Sequence, residues 1–274
     1  MRVSFTKMHG LGNDFVILDG RNEGVPELTK SMAAAIADRR KGIGCDQLIL
    51  LETCKTADAD FRMRIFNSDG GEVEACGNAA RAVALLHGSP AKVMTDGGVI
   101  SLQPTEAGAT VDMGTPRFEW DAIPLAYAMD TLSMPLGWEE LENPAAVNVG
   151  NPHAIFIVED CDTVELDRLG PEIEHDPVFP ERVNVNVATV VEREHIKLRV
   201  WERGAGLTRA CGTGACATAV AAMRRGLVLR NVSVELPGGS LVIEWTDDDR
   251  ILMSGPATES FRGSFEWSDF ADLN

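Results

Sequence analysis

The chain has 274 residues, 45% of them hydrophobic, and a formal net charge of −17. That length predicts about two domains with proper cores, and the charge argues against binding a phosphate backbone, which needs a basic surface. No apolar run approaches the roughly 18 residues of a membrane span. The start lacks the apolar stretch of a signal peptide, so a cytoplasmic protein with six reduced cysteines is expected.

Residues 3–7 and 15–19 predict two strands joined by His9 to Asp14. Two glycines there imply either a plain hairpin turn or a loop that presents Asn13. Thr29 to Lys41 predicts a helix with a threonine cap, a basic last turn and Gly42 as its stop. Gln47 leads into a strand over 48–51, while Cys45 and Cys54 lack partners at metal-ligand spacing and are expected to pack. The strand 61–66 delivers Asn67 and a Gly-Gly turn, after which Cys76 opens a small-residue helix ended by Gly88. Short strands continue to 116, where a turn-rich Gly114 to Arg117 marks a domain boundary.

Residues 120–145 carry little pattern. The second half begins with 146–149, Gly150-Asn151-Pro152-His153 and an apolar strand over 154–158. A histidine so placed reads first as a satisfied core histidine. A short helix is expected within 162–175. Residues 181–187 alternate, putting Asn184 and Asn186 on one strand face, which by pattern alone is a solvent face. The strand 196–201 runs into Glu202 and Arg203, and Cys211 then opens a second small-residue helix ended by Gly226. Strands at 241–245 and 250–254 follow, and one near 261–267 returns to the first domain. Hairpins with one long helix per half make this an antiparallel-rich α+β chain.

The two cysteine boxes are copies. At an offset of 135 residues (211 minus 76), Arg64 meets Arg199, Phe66 meets Trp201, Gly71 meets Gly206 and Ala75 meets Ala210. Gly77 then meets Gly212, Ala80 meets Ala215 and Ala82 meets Ala217. So long a period implies duplicated half-domains. Each thiol sits at a helix mouth, where unpaired amides and the helix dipole favour its ionised form.

Two such thiols suit few chemistries. A redox pair is expected as Cys-x-x-Cys, structural zinc needs four grouped ligands, and a single nucleophile leaves the second copy unexplained. Inversion of a stereocentre uses both. One group takes the α-proton from one face, the other donates at the opposite face, and the roles exchange in reverse. The helix mouths would also hold a substrate carboxylate.

The chain resembles the diaminopimelate epimerase family along nearly its whole length. The resemblance rests on Lys7 to Phe15, Gly44 to Gln47, Arg64 to Asn67, Ala75 to Asn78, Gly150 to His153, Glu181 to Asn184, Glu202 to Gly206 and Ala210 to Ala215, in that order. It implies an isomerase without cofactor or metal that interconverts LL- and meso-diaminopimelate for lysine and peptidoglycan precursors. It implies two pseudosymmetric α+β domains, 1–116 with 263–274 and 117–262, each a mainly antiparallel sheet around a central helix, with the active site in the cleft between them. Cys76 and Cys211 would be the acid/base pair, with Gly77, Asn78, Gly212 and Thr213 on the reacting carboxylate. Asn67, Asn151, Asn184 and Arg203 would read the distal end, and Asn13 and Gln47 would complete the pocket. His153 and Glu202 would tune the thiols, Glu202 also touching substrate. A cytoplasmic homodimer without nucleic-acid or membrane partners is implied. Proline and hydroxyproline racemases, and a non-catalytic binder or thiol sensor on the same scaffold, are the alternatives. The pair of cysteines argues against the binder, and the distal-end residues argue against proline.

Overall fold

The computed structural model describes every residue except Glu23, Lys55, Ala75, Ala107 and 272–274. Ala75 of the first cysteine box and the end of the predicted 263–274 segment therefore lie outside the described residues. The first stretch runs β1 (Arg2–Gly10), β2 (Asn13–Asp19), α1 (Lys30–Ala37), β3 (Gln47–Thr53), β4 (Phe61–Asn67) and β5 (Glu72–Val73). It continues with α2 (Gly77–His87), β6 (Ala91–Thr95), β7 (Gly98–Thr105) and β8 (Gly108–Asp112).

After a two-stranded hairpin, β9 (Gly137–Trp138) with β10 (Leu141–Glu142), the same succession recurs. It runs β11 (Ala145–Asn148), β12 (Pro152–Ile157), α3 (Leu166–Glu174), β13 (Asn184–Glu192), β14 (His195–Glu202) and β15 (Gly206–Thr208). Then come α4 (Gly212–Arg224), β16 (Asn231–Leu236), β17 (Gly239–Trp245) and β18 (Ile251–Gly255), before β19 (Thr258–Glu266) and α5 (Ser268–Ala271) close the chain.

Contacts divide the chain into two units, Met1–Val111 with Gly255–Asn274, and Asp112–Ser254. These limits fall before the 116/117 and 262/263 boundaries expected from sequence. The reason at the second boundary is β19, which pairs antiparallel with β1 from Thr258 through Glu266 and so joins the first unit from its start.

Strand pairing repeats between the units. β1 with β2 and β11 with β12 are antiparallel, whereas β2 with β3 and β12 with β13 are parallel. β3 with β4 and β13 with β14 are antiparallel, as are β4 with β5 and β14 with β15. β4 with β6 and β14 with β16 are again parallel, and β6 with β7 and β16 with β17 antiparallel.

The long helix of each unit explains its composition. α4 packs against β11, β12, β13, β14, β16 and β17, and Gly214 through Ala222 are all buried. α2 packs against β1, β7 and β19 and buries Gly77 through Ala84. A helix surrounded on most sides admits mainly small residues, because backbone and strand approach closely. Gly88 ends α2 in the left-handed region at φ 77°.

α1 is shorter than its pattern predicts, stopping at Ala37. The Asp38 carboxylate accepts the backbone N–H groups of Arg40 and Lys41, at 2.7 and 2.9 Å, and turns the chain away, so the basic residues lie beyond the helix. Leu11 and Gly12, at φ 58° and 88°, form the two-residue turn between β1 and β2. Paired left-handed residues match the twist of a tight hairpin. Among the described residues no helix is long and apolar enough to cross a membrane.

Candidate active site

In the first unit the hairpin turn forms, and Asn13 follows it directly. Asn13 is the first residue of β2, and its amide is oriented by Asp46, whose carboxylate accepts from Nδ2 at 3.1 Å. The Asn13 Oδ1 thereby faces α2. It accepts from Asn78 Nδ2 at 3.2 Å and lies 4.0 Å from Cys76 Sγ. Cys76 is half-buried and caps α2, its sulfur accepting Ala79 N–H at 3.4 Å. Gly77 is the first helical residue. Gln47 donates to Asn67 Oδ1 at 3.1 Å, so these two polar groups form their own pair at the ends of β3 and β4.

Two charged groups lie behind this set: Arg81, outside every motif, and Asp46, inside the Gly44 to Gln47 motif but given no role by it. Arg81 is fully buried in α2 and donates to Asn78 Oδ1 at 2.9 Å and to the Pro256 carbonyl at 3.4 Å. Asp46 shares Arg39 with Asp14, at 2.7 and 2.5 Å. Burial opposes ionisation of Asp14, but hydrogen bonds from Arg39 and Lys7 outweigh it and hold the carboxyl well below its usual range.

In the second unit Cys211 caps α4 in the same way, accepting Gly214 N–H at 3.3 Å. Thr213 Oγ1 lies 3.5 Å from the sulfur and accepts from Asn151 Nδ2 at 3.3 Å. Asn151 Oδ1 in turn contacts His153 Nε2 at 2.9 Å. Gly212 begins the helix. Asn184 donates to the Pro152 carbonyl at 2.8 Å and accepts the backbone N–H of Arg203 at 2.9 Å. The Arg203 guanidinium donates to the Glu181 carbonyl at 3.1 Å. Thr208 donates to the Glu202 carboxylate at 2.6 Å.

Three expectations need correction here. Asn184 and Asn186 share a strand face, but that face is covered: they are 3% and 0% exposed. Alternation reports that two residues face one way, not whether that way is solvent. The expected ease of ionising Cys211 also fails. Burial pushes its thiol well above the ordinary 9.0, and the charge of Glu202 pushes it further, outweighing the Thr213 and Gly214 hydrogen bonds that favour the thiolate. Cys54 is not a packing residue but half-exposed, its sulfur 3.2 Å from Thr56 Oγ1.

Cys45 is buried as expected, as are Cys161 and Cys216 in the second unit, and burial lifts the Cys45 thiol to about 11. His153 is fully buried and is held neutral, its ionisation pushed down to about 3 chiefly by burial. It is at once a core histidine and a neighbour of the Cys211 cluster.

Glu174 was also missed. It is 2% exposed and holds the Trp201 indole at 2.7 Å and the Gly204 amide at 3.0 Å, fixing the bend that carries Glu202 and Arg203. Among the described residues the candidate metal-ligand group is Asp160, Cys161 and Asp162, and Lys197 already pairs with Asp162.

Each thiol caps its helix by accepting a backbone N–H, with Asn13 near Cys76 and Thr213 near Cys211. The sequence matches the family described as diaminopimelate epimerase over residues 5–119 and 145–259. It is 68% identical over 271 residues to the diaminopimelate epimerase of Erythrobacter litoralis, covering 99% of this chain and 100% of that one. Against the enzyme of the same name from Sphingopyxis alaskensis the identity is 61% over 266 residues, covering 97% and 98%. The fold also resembles a hydroxyproline epimerase from Agrobacterium vitis, with a TM-score of 0.68 at 14% identity over 96% of this chain and 92% of that one.

Proposed function

Since the chain belongs to the diaminopimelate epimerase family, we propose that Cys76 and Cys211 are the acid/base pair of its reaction. The protein is an amino-acid epimerase that interconverts LL- and meso-diaminopimelate in lysine biosynthesis. One cysteine, as thiolate, removes the α-proton; the other, as thiol, protonates the opposite face of the planar carbon, and the reverse reaction exchanges their roles. The observation carrying this is the duplication itself, with a thiol capping the long helix of each unit.

Gly77, Asn78, Gly212 and Thr213 belong to the first turns that follow the thiols. They hold the reacting carboxylate and stabilise charge as the proton leaves. Asn67, Asn151, Asn184 and Arg203 read the distal amino-acid end, with Asn13 and Gln47 completing the pocket. Glu202 and His153 adjust the Cys211 end. The same product serves peptidoglycan precursors. The enzyme works in the cytoplasm as a homodimer, without cofactor.

The hydroxyproline epimerase shares the fold alone at 14% identity. A substrate with a second amino-acid head accounts for the Asn184 and Arg203 pair, which proline has no group to engage.

The test is proton exchange. Reduced protein incubated with LL-diaminopimelate in D2O should place deuterium at the α-carbon as meso product forms, and either Cys→Ala substitution should stop it. Exchange with proline but not with diaminopimelate would move the substrate assignment. Exchange with neither would return the protein to a binding role.

A further inference from the structure

Asn186 stands on β13 two residues beyond Asn184, fully buried and outside every motif that marks the site. Its amide orientation is fixed by the backbone: Nδ2 donates to the Ala154 carbonyl at 3.2 Å. Turning the amide over would set Oδ1 against that carbonyl oxygen, two acceptors face to face. The same Nδ2 lies 3.0 Å from His153 Nδ1. A ring nitrogen that receives an N–H carries a lone pair, so in the neutral imidazole the proton must sit on Nε2.

Nε2–H then points at Asn151 Oδ1, 2.9 Å away. This fixes the second amide too, with its Nδ2 turned to Thr213 Oγ1 at 3.3 Å, next to Cys211. The imidazole's ionisation is pushed down to about 3, chiefly by burial, which keeps the ring in the neutral form this chain of donors requires. Asn186 Oδ1 has no hydrogen-bond partner. A buried unpaired amide oxygen costs about 1–3 kcal/mol. Packing for shape alone would be met by an apolar residue at lower cost.

We propose that Asn186 is a positioning residue that holds His153 as the Nε2–H tautomer and so aims the amide donor of Asn151 at Thr213, beside Cys211. The proposal rests on Cys211 being one of the reacting thiols. Asn186 touches no substrate in this scheme; it acts through His153 and Asn151.

The test is nitrogen NMR of the whole protein labelled with 15N-histidine, the His153 signals being identified by their loss in His153→Gln. Wild type should show a proton on Nε2 and none on Nδ1. In Asn186→Asp the new carboxylate should draw a proton onto Nδ1. In Asn186→Ala the tautomer should no longer be fixed. In both variants kcat/KM for the epimerisation should fall about 10- to 100-fold, the size of effect found when a partner orienting a metal-bound histidine is removed, with circular dichroism unchanged.

Wild-type protein with its proton on Nδ1 overturns the proposal, and does so even if neither variant folds. A changed His153 spectrum with wild-type kcat/KM also overturns it, as does lost activity with the wild-type spectrum retained. Failure of the two-thiol reading is separate. It would appear as deuterium exchange that survives Cys211→Ala, whatever the state of His153.

Discussion

The two thiols occupy equivalent places in duplicated units, yet their surroundings differ in polarity. Strand register makes the comparison residue by residue. Leu48 pairs with Phe66 and Val185 with Trp201, while Phe15 pairs with Gln47 and His153 with Asn184. Phe15 and Ile49 of the first unit therefore correspond to His153 and Asn186 of the second. Asn13 and Asn151 also correspond, each two residues earlier. In the first unit Asp46 pulls on the Asn13 NH2 and leaves its oxygen toward Cys76. In the second, His153 takes the Asn151 oxygen and leaves its NH2 toward Thr213. Duplication kept the backbone and the helix caps; divergence gave one thiol an acceptor for a neighbour and the other a donor relay.

If the thiols are nonetheless a single catalytic pair, removing either should be nearly equivalent. Cys76→Ala and Cys211→Ala should each lower α-proton exchange in D2O by at least the 10²–10⁴-fold typical of a positioned acid or base. A variant keeping exchange within about tenfold of wild type would assign the chemistry to one unit alone.

The next contrast is His153 against Phe15. A buried imidazole held neutral down to about 3, against an ordinary 6.5, makes stability depend on pH. Below about 6.5 the unfolded chain takes up a proton that the folded chain refuses. Stability is therefore unaffected above that value and declines as pH falls toward 3. His153→Phe, which installs the first unit's residue, should flatten this part of a melting-temperature-against-pH curve and lower kcat/KM about 10- to 100-fold. An unchanged pH slope would show that His153 titrates normally.

Much of this was legible in the sequence, for identifiable reasons. The cysteine boxes repeat because the backbone at each helix mouth admits few residues, so the duplication stayed visible. What side chains do once covered was not legible. Asn186 looked solvent-facing because alternation carries no sign. Arg81 lies in a run of alanines with no pattern to single it out, although it braces Asn78 from within the core. Ionisation of Cys211 was read from the helix mouth, a local feature, while burial and Glu202, both tertiary, decide it. The residues 120–145 lack periodicity because β9 and β10 contribute only two residues each and the rest, up to β11 at Ala145, is turn and irregular chain.

Arg203 has no basic counterpart in the first unit, where Ser68 stands at the same offset of 135 (203 minus 68). Arg203→Lys keeps the charge and loses the planar fork. Loss of one charge-assisted hydrogen bond, about 1.5 kcal/mol, corresponds to about a tenfold fall in kcat/KM for diaminopimelate. Unchanged kcat/KM would mean that the distal carboxylate is read elsewhere.

The finest difference between the units is one methyl group. Ala79 follows Cys76 by three residues and Gly214 follows Cys211 by three, each supplying the amide that the capping sulfur accepts. A Cβ on Gly214 would lie 2.7 Å from Asn186 Oδ1, 3.1 Å from Val200 and 3.2 Å from Cys211 Sγ. In the first unit Ile49 stands in the place of Asn186 and Ala79 in the place of Gly214. In an ordinary helix alanine is favoured over glycine by about 1 kcal/mol, so propensity alone predicts that Gly214→Ala stabilises. The close approach of Asn186 predicts the reverse, a loss of about 1–3 kcal/mol from overpacking, or about 2–4 °C in Tm for each kcal/mol. Ala79→Gly should cost only the propensity, about 1 kcal/mol. Calorimetry on the two single variants decides between these signs. A stabilised Gly214→Ala would mean that Asn186 yields to a methyl group, and a residue that yields so easily cannot be what holds the imidazole in one tautomer.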